Sequence, residues 1–169
     1  RVMIPVPVIA IFDVGKTNKK FFLIDEGYVI VLERSVPFEE STDEDGDACD
    51  DVNHLSKWVK ESLAEILLLK KFEVKAVNFS AYGASFVYIN EKGDTVAPLY
   101  NYLKSYPDSL KNELYNKYGG EEKISCETAS PVLGSLNSGM QVYRQLKEKP
   151  ALYQQIKYAL HLPQYLSYL

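Results

Sequence analysis

Cysteine is scarce in this sequence: only Cys49 and Cys126 occur among 169 residues, and their separation does not match the spacing of a metal site. So few cysteines are typical of a reduced, cytoplasmic protein. Basic residues are outnumbered, with 19 lysines and arginines against 23 acidic residues, which gives a net charge of −4 at pH 7. This balance argues against nucleic acid as a partner.

Long hydrophobic runs are missing as well. The apolar start, residues 1–12, is too short to span a bilayer and contains Pro5 and Pro7. It also lacks a basic segment followed by a cleavage site, so it does not have the pattern of a signal peptide. We therefore expect no membrane partner and interpret this stretch as the lead-in to a first strand. The 46% hydrophobic and 25% charged content is that of an ordinary globular domain.

The stretch from Val8 to Asp25 is the most informative part of the chain. An apolar run ends at Asp13, a polar bend follows, and a second apolar run begins at Phe21. Short apolar runs bounded by turn residues predict a β-hairpin. Near its bend this hairpin carries a carboxylate, which suits Mg²⁺, and backbone amides, a hydroxyl and ammonium groups, which suit phosphate oxygens. The pattern therefore favours a magnesium-bound polyphosphate as ligand.

Two other interpretations of the same residues stay open. Residues 10–17 fit a loosened P-loop pattern with alanine in place of the first glycine, but a P-loop lies between a strand and a helix. Here the residues before Gly15 belong to a strand, and those after Thr17 predict a second strand. The third interpretation is a plain surface hairpin whose lysines are solvated.

The residues that follow the hairpin predict an α/β order. They predict a third strand over Tyr28–Val36, a helix capped by Asp51 that runs to Lys71, a strand over Val74–Tyr82 and a strand over Phe86–Ile89. The fourth strand should run parallel to the first, because a helical crossover precedes it. The small residues Gly83, Ala84 and Ser85 then stand at the carboxyl end of that strand, where open α/β sheets place ligands. A simple bulge is the alternative.

The acidic segment from Glu39 to Asp51 predicts a solvated loop, because its glycine does not stand where a calcium-binding EF-hand loop requires it. The second half of the chain has weaker patterns. We expect a loop over 98–107 with Tyr100, Asn101, Tyr102 and Lys104 as polar contacts, helices over 109–118 and 138–147, irregular structure over 121–135, and a helix that Pro150 opens with Leu152, Ile156, Ala159 and Leu160 inward. Because the chain stops within an apolar segment after His161, we expect it to be a fragment.

Three motifs carry a resemblance to a known family. Asp-x-Gly-x-Thr at the first turn resembles the actin-like ATPase fold, and residues 12–20, 81–89 and 160–169 resemble the FGGY carbohydrate kinases, nearest to the rhamnulokinase-like branch. The resemblance implies an α/β, ribonuclease H-like fold with a mixed five-stranded sheet and helices on both faces. It also implies that residues 1–169 are the N-terminal part of the first actin-like domain, without the rest of that domain or the C-terminal domain.

The resemblance further implies roles for particular residues. Asp13 would hold Mg²⁺ through water, Lys20 matches a basic position beyond the turn, and the ATP phosphates would face Gly15, Lys16, Thr17 and Asn18. The sugar would contact Tyr82, Gly83, Ala84 and Ser85. Lys16 stands where many relatives carry Thr, Ser85 stands where rhamnulokinases carry a sugar-binding Asp, and Leu103-Lys104 replaces a Tyr-Arg-Asp-like contact. The family's catalytic base would fall beyond Leu169, so we expect this chain alone to be inactive.

The leading hypothesis is therefore an ATP- and Mg²⁺-dependent sugar kinase with sugar and ATP as small-molecule partners, and with a homodimer as one assembly to test. The alternative is an actin-like nucleotide-binding sensor or assembly module without sugar kinase activity. A third hypothesis is a truncated scaffold that binds neither ligand.

Overall fold

The computed structural model describes residues 4–169, so the first three residues of the predicted lead-in lie outside the described residues. The described chain divides into two compact units. The first unit contains residues 4–40, 51–83 and 162–169, and the second contains residues 41–50 and 84–161. Each unit has its own sheet structure and is described separately.

The elements follow one another as β1 (Val6–Val14), β2 (Asn18–Asp25), β3 (Ile30–Pro37), β4 (Ser41–Thr42), β5 (Ala48–Asp50), α1 (Val52–Leu68), β6 (Phe72–Ala81), β7 (Phe86–Ile89), β8 (Leu99–Tyr100), α2 (Asp108–Lys117), α3 (Glu121–Thr128), a 3₁₀ turn (Gly134–Leu136), α4 (Ser138–Glu148), α5 (Pro150–Tyr153), β9 (Tyr158–His161) and α6 (Leu162–Tyr168). No helix among the described residues is long and apolar enough to cross a bilayer.

The first unit is built on a four-stranded mixed sheet in the order β3-β2-β1-β6. The β1 strand pairs antiparallel with β2 and parallel with β6, as the hairpin and the helical crossover predicted. Alternate residues of β1 and β2 are buried on one face, because successive side chains of a strand point to opposite sides. This core includes Phe12 and Phe21, whose ring centroids lie 4.6 Å apart.

Helix α1 covers that buried face. Asp51 caps it as predicted, accepting hydrogen bonds from the backbone amides of Asn53 and His54, although the helix ends at Leu68 rather than at Lys71. The Trp58 ring meets Phe12 edge-on at 5.4 Å. The hydroxyl of Ser56 lies 3.1 Å from that of Tyr165 on α6, so the two helices contact each other.

The predicted five-stranded sheet is too large by one strand. The strand over Phe86–Ile89 exists, but it belongs to the second unit, where it pairs antiparallel with β9. Helices on both faces of the main sheet were also predicted. The Trp58 ring of α1 contacts Phe12, so α1 covers the face of the sheet that holds Phe12. Ile9 lies on the opposite face of the sheet and is 43% exposed.

The second unit combines two small sheets with four helices. The acidic segment, predicted as a loop, forms the β4–β5 hairpin, and β8 adds to its edge. Residues 121–128 form α3 instead of irregular structure, and the helix that Pro150 opens stops at Tyr153. Residues 158–160, predicted as part of that helix, form β9 together with His161 and pair with β7. Helix α4 lies within one residue of its predicted bounds.

Candidate functional site

The first candidate site lies where β1 ends in the first unit. Asp13 is directly opposite Lys20 on β2 and opposite Ser80 on β6, so the three side chains lie side by side on one face of the sheet. Asp13 is half-buried and lies on the face away from α1, because its neighbour Phe12 occupies the core. A carboxylate, an ammonium group and a hydroxyl are therefore gathered beside the turn.

The turn that follows Asp13 is closed tightly by its backbone. The Gly15 amide donates to the Asn18 carbonyl at 3.0 Å. A Cβ atom on Gly15 would also lie 3.0 Å from that carbonyl oxygen, closer than ordinary side-chain contacts. This close approach favours glycine, because any other residue would force the turn to open by a few tenths of an ångström. Thr17 and Asn18 are exposed, which leaves the outside of the turn accessible to a ligand.

We predict that Gly15→Ala weakens nucleotide binding about tenfold, because the turn must open by a few tenths of an ångström and its amides lose their alignment. Titration calorimetry with Mg²⁺–ATP checks this. Gly139→Ala on α4 is the matched control, since a Cβ atom there meets nothing within 4 Å. Equal ATP affinity in Gly15→Ala and the control would contradict the proposed role of the turn.

The two lysines at the start of the turn and of β2 make contacts within the protein. Lys16 forms an ion pair with Glu40 at 2.8 Å. Lys19, which the sequence analysis did not single out, is only 1% exposed; its ammonium donates to the Lys16 carbonyl at 3.0 Å and lies 5.5 Å from the Phe38 ring centroid. Strand alternation could have revealed it, because Lys19 shares its parity with the buried Phe21. Lys19 therefore fixes the backbone of the turn.

The groups present at this turn fit a magnesium-bound polyphosphate. Mg²⁺ commonly takes one or two carboxylates and completes its shell with water and phosphate oxygens, so a single Asp13 is sufficient. Among residues 4–169 no group of three or more His, Cys, Asp or Glu side chains could hold a metal ion by itself. The Lys20 ammonium lies 3.8 Å from Glu33 with both side chains substantially exposed, a weak pairing that phosphate can replace.

The predicted sugar segment extends over both units. Tyr82 belongs to the first unit, where its amide donates to the Val14 carbonyl at 3.3 Å. Gly83 has open space around its Cα, with nothing within 4 Å of an added Cβ atom. Ala84 and Ser85 belong to the second unit. Ser85 is fully buried, and its hydroxyl donates to the Tyr100 carbonyl at 2.6 Å.

A charged cluster that sequence reasoning missed lies in the second unit. The ammonium of Lys104 contacts three carboxylates of the β4–β5 hairpin: Asp43 at 2.5 Å, Asp45 at 2.7 Å and Asp47 at 3.0 Å. The Asp43 side chain is fully buried and that of Lys104 is 5% exposed. The alternate aspartates that suggested a calcium loop are thus held by a lysine of the same chain.

Protonation in this cluster is set by opposing effects. Burial alone would raise the pKa of Asp43, but hydrogen bonds from Lys104 and from the amides of Asp47 and Asp45 outweigh it and hold that pKa below its usual value. Burial disfavours the charged form of Lys104, yet hydrogen bonds to the three aspartates raise its pKa above the ordinary lysine value. Lys104 also lowers the pKa of Asp45, so Asp43, Asp45 and Lys104 are charged at neutral pH.

No protein-family model matches the chain. In sequence it is similar to a rhamnulokinase from Mannheimia succiniciproducens, with 24% identity over 164 residues that cover 95% of this chain and 33% of that protein. The chain therefore spans about a third of the length of the curated relative that it matches.

The chain also resembles solved structures of carbohydrate kinases. The chain resembles a gluconate kinase from Lactobacillus acidophilus with a TM-score of 0.77 and 16% identity, over 96% of this chain and 33% of that one. It resembles a carbohydrate kinase from Novosphingobium aromaticivorans with a TM-score of 0.78 and 21% identity, over 94% and 33%. At such identities the likeness shows the fold. The predicted fold, that of the actin-like ATPases, is confirmed, and the chain is similar to carbohydrate kinases in sequence and in structure.

Proposed function

We propose that the protein takes part in the ATP-dependent phosphorylation of a sugar hydroxyl and supplies half of the phosphate site and part of the sugar site. The observation that carries this proposal is the alignment of Asp13, Lys20 and Ser80 on one sheet face beside the tight turn at Gly15. The chain that contains this turn shares its fold with carbohydrate kinases.

The proposed phosphate site is made of the turn and its flanking charges. The turn residues Gly15, Lys16, Thr17 and Asn18 would face the phosphates, and the Lys20 ammonium would pair with a phosphate oxygen in place of Glu33. Asp13 is the residue that would hold Mg²⁺, through a water molecule. When bound, the metal ion supplies neutralisation of the charge that spreads over the transferring phosphoryl group.

The proposed sugar segment is Tyr82, Gly83, Ala84 and Ser85. Because the Ser85 hydroxyl is already used on Tyr100, we propose that Ser85 acts by holding the segment in place, and that backbone groups of the segment reach the sugar. Phosphoryl transfer depends mainly on positioning and electrostatic stabilisation, which is what a rigid turn and a rigid segment provide. We assign no catalytic base within residues 4–169.

The scarcity of cysteine supports a cytoplasmic location.

Calorimetry separates this proposal from the nucleotide-binding module without kinase activity. We expect a pentose, ketose, deoxyhexose or sugar acid from a panel to bind the intact protein with a defined stoichiometry, and Mg²⁺–ATP to bind as well. ATP-dependent polymerisation without sugar binding would favour the actin-like assembly module. Flat titrations with both nucleotide and sugars would favour a scaffold and contradict the proposal.

A further inference from the structure

Three separate segments of the second unit are joined by buried side-chain hydrogen bonds. Ser85 donates to the Tyr100 carbonyl at 2.6 Å, which ties the end of the sugar segment to β8. Ser135, in the 3₁₀ turn, donates to the Lys104 carbonyl at 2.6 Å. Both serines are buried, with exposures of 0% and 6%. The loop that contains Tyr100 and Lys104 is therefore attached to both other segments.

Gln141 on α4 completes this set. Its side-chain Nε2 donates to the Ala84 carbonyl at 2.8 Å and to the Ser135 carbonyl at 2.6 Å, so both amide hydrogens are used. The residue is 5% exposed. It is the side chain that links the sugar segment directly to the 3₁₀ turn.

The side-chain oxygen of Gln141, unlike its nitrogen, does not link these segments. Its Oε1 is buried and has no hydrogen-bond partner among residues 4–169, which is unfavourable for a desolvated carbonyl oxygen. Leucine would fill a similar volume without that penalty. Whatever the glutamine contributes at this position therefore comes from its two N–H donors.

We propose that Gln141 is a positioning residue of the sugar site, which sets the place of Ala84 and Ser85 by holding the Ala84 carbonyl against Ser135. The inference rests on the proposed function, because Ala84 and Ser85 belong to the segment that is proposed to form part of the sugar site. It assigns Gln141 no contact with substrate. Its effect is on how well the segment is pre-formed before a sugar binds.

The same helix offers a matched control. Gln145 lies one turn after Gln141, is 4% exposed and also has an Oε1 without a hydrogen-bond partner among the described residues. It makes no hydrogen bond to Ala84 or Ser135, whose carbonyls Gln141 holds. The changes Gln141→Leu and Gln145→Leu thus remove the same atoms from equally buried positions of one helix.

The test compares sugar KM, kcat and amide hydrogen exchange in the intact protein. In Gln141→Leu we expect the sugar KM to rise about tenfold, the ATP KM to stay within about twofold, and exchange in peptides covering residues 84–87 to accelerate about tenfold. Gln141→Glu keeps the acceptors and removes the donors, so it should behave like Gln141→Leu. Gln145→Leu should leave the sugar KM and the exchange of residues 84–87 unchanged.

The outcomes separate the inference from the proposed function. Equal sugar KM and equal exchange in Gln141→Leu and Gln145→Leu would overturn the positioning role while kinase activity stands. A Gln141→Glu variant with normal sugar KM would overturn it too, since that variant lacks the two N–H donors on which the positioning role depends. If the unaltered protein phosphorylates no sugar, the proposed function fails, and faster exchange at residues 84–87 in Gln141→Leu still decides whether Gln141 positions the segment.

Discussion

Asp13→Asn should lower kcat by at least about a hundredfold in the intact protein and leave its melting temperature nearly unchanged. Asparagine has the shape of aspartate but lacks its charge, and the charge is what the proposed role requires, because a metal-bound water is held and polarised by a carboxylate. Losses of this size are typical when one group that stabilises the charge of a transition state is removed. Asp13 lies on the sheet face away from the packed core, so its replacement leaves the packing of Phe12 intact.

The control for this variant is Glu33→Gln, which removes a negative charge from the same sheet. Glu33 is half-exposed and lies 3.8 Å from Lys20. Its loss should change kcat by less than about threefold, as expected for a weak surface pair. A normal kcat in Asp13→Asn, or an equal loss in both variants, would rule out the assigned role of Asp13.

Lys104→Met should destabilise the protein by about 3 kcal/mol, measured as the free energy of unfolding in urea at pH 7. Removing one partner of a buried ion pair leaves uncompensated charge, which typically costs this much. Here the loss leaves Asp43, whose side chain is fully buried, beside Asp45 and Asp47 without a cation. The expected loss lies at the lower end of the usual range because Asp45 and Asp47 are 40% and 46% exposed, so water partly solvates their charges.

Between pH 7 and about 5 the stability of this variant should rise on acidification, whereas the same cluster should contribute a constant amount to the unaltered protein over that range. The lowered pKa of Asp43 means that its contribution is present above the unfolded pKa of about 4 and is lost as the pH falls below it. Lys104, with a raised pKa, contributes throughout the range below about 10. In Lys104→Met, burial without a cation raises the pKa of Asp43, so protonation of Asp43 removes an unfavourable buried charge and the free energy of unfolding should increase from pH 7 towards about 5.

Lys149→Met is the matched control for Lys104→Met. Lys149 pairs with Glu44 and, at 3.3 Å, with Asp45, but its side chain is 21% exposed and that of Glu44 is 42% exposed. Such a pair should contribute about 1 kcal/mol or less. An equal loss of unfolding free energy in Lys104→Met and Lys149→Met would contradict a buried ion group in this cluster. A further decrease in the stability of Lys104→Met between pH 7 and about 5 would contradict it as well.

Local patterns in the sequence were enough to predict β1, β2, β3, α1 and β6 of the first unit. The β1–β2 hairpin depends on short apolar runs and one bend, and the Asp51 cap involves only residues between positions 51 and 54. The strand β6 pairs parallel with β1 because a helical crossover connects the two strands. The candidate phosphate turn could be predicted for the same reason. The turn determines the register of the hairpin, and this register places Asp13 opposite Lys20.

The second unit depends on contacts that are distant in sequence. Helix α3 has no buried residue, so it carries no apolar period that could be read. β9 forms because Tyr158–His161 pairs with Ile89–Phe86, and an isolated run of four residues does not contain that information. Lys104 lies 61 positions from Asp43, and Gln141 lies 57 positions from Ala84. Residue types alone do not indicate such pairings.

The most direct test of the proposed activity is the rate of ADP release from Mg²⁺–ATP by the intact protein, measured with and without each member of a sugar panel. The account predicts that at least one sugar raises the rate well above the level without sugar, and that the phosphate appears on that sugar. ADP release that no sugar changes would contradict the account and favour a nucleotide-binding module that does not phosphorylate a sugar.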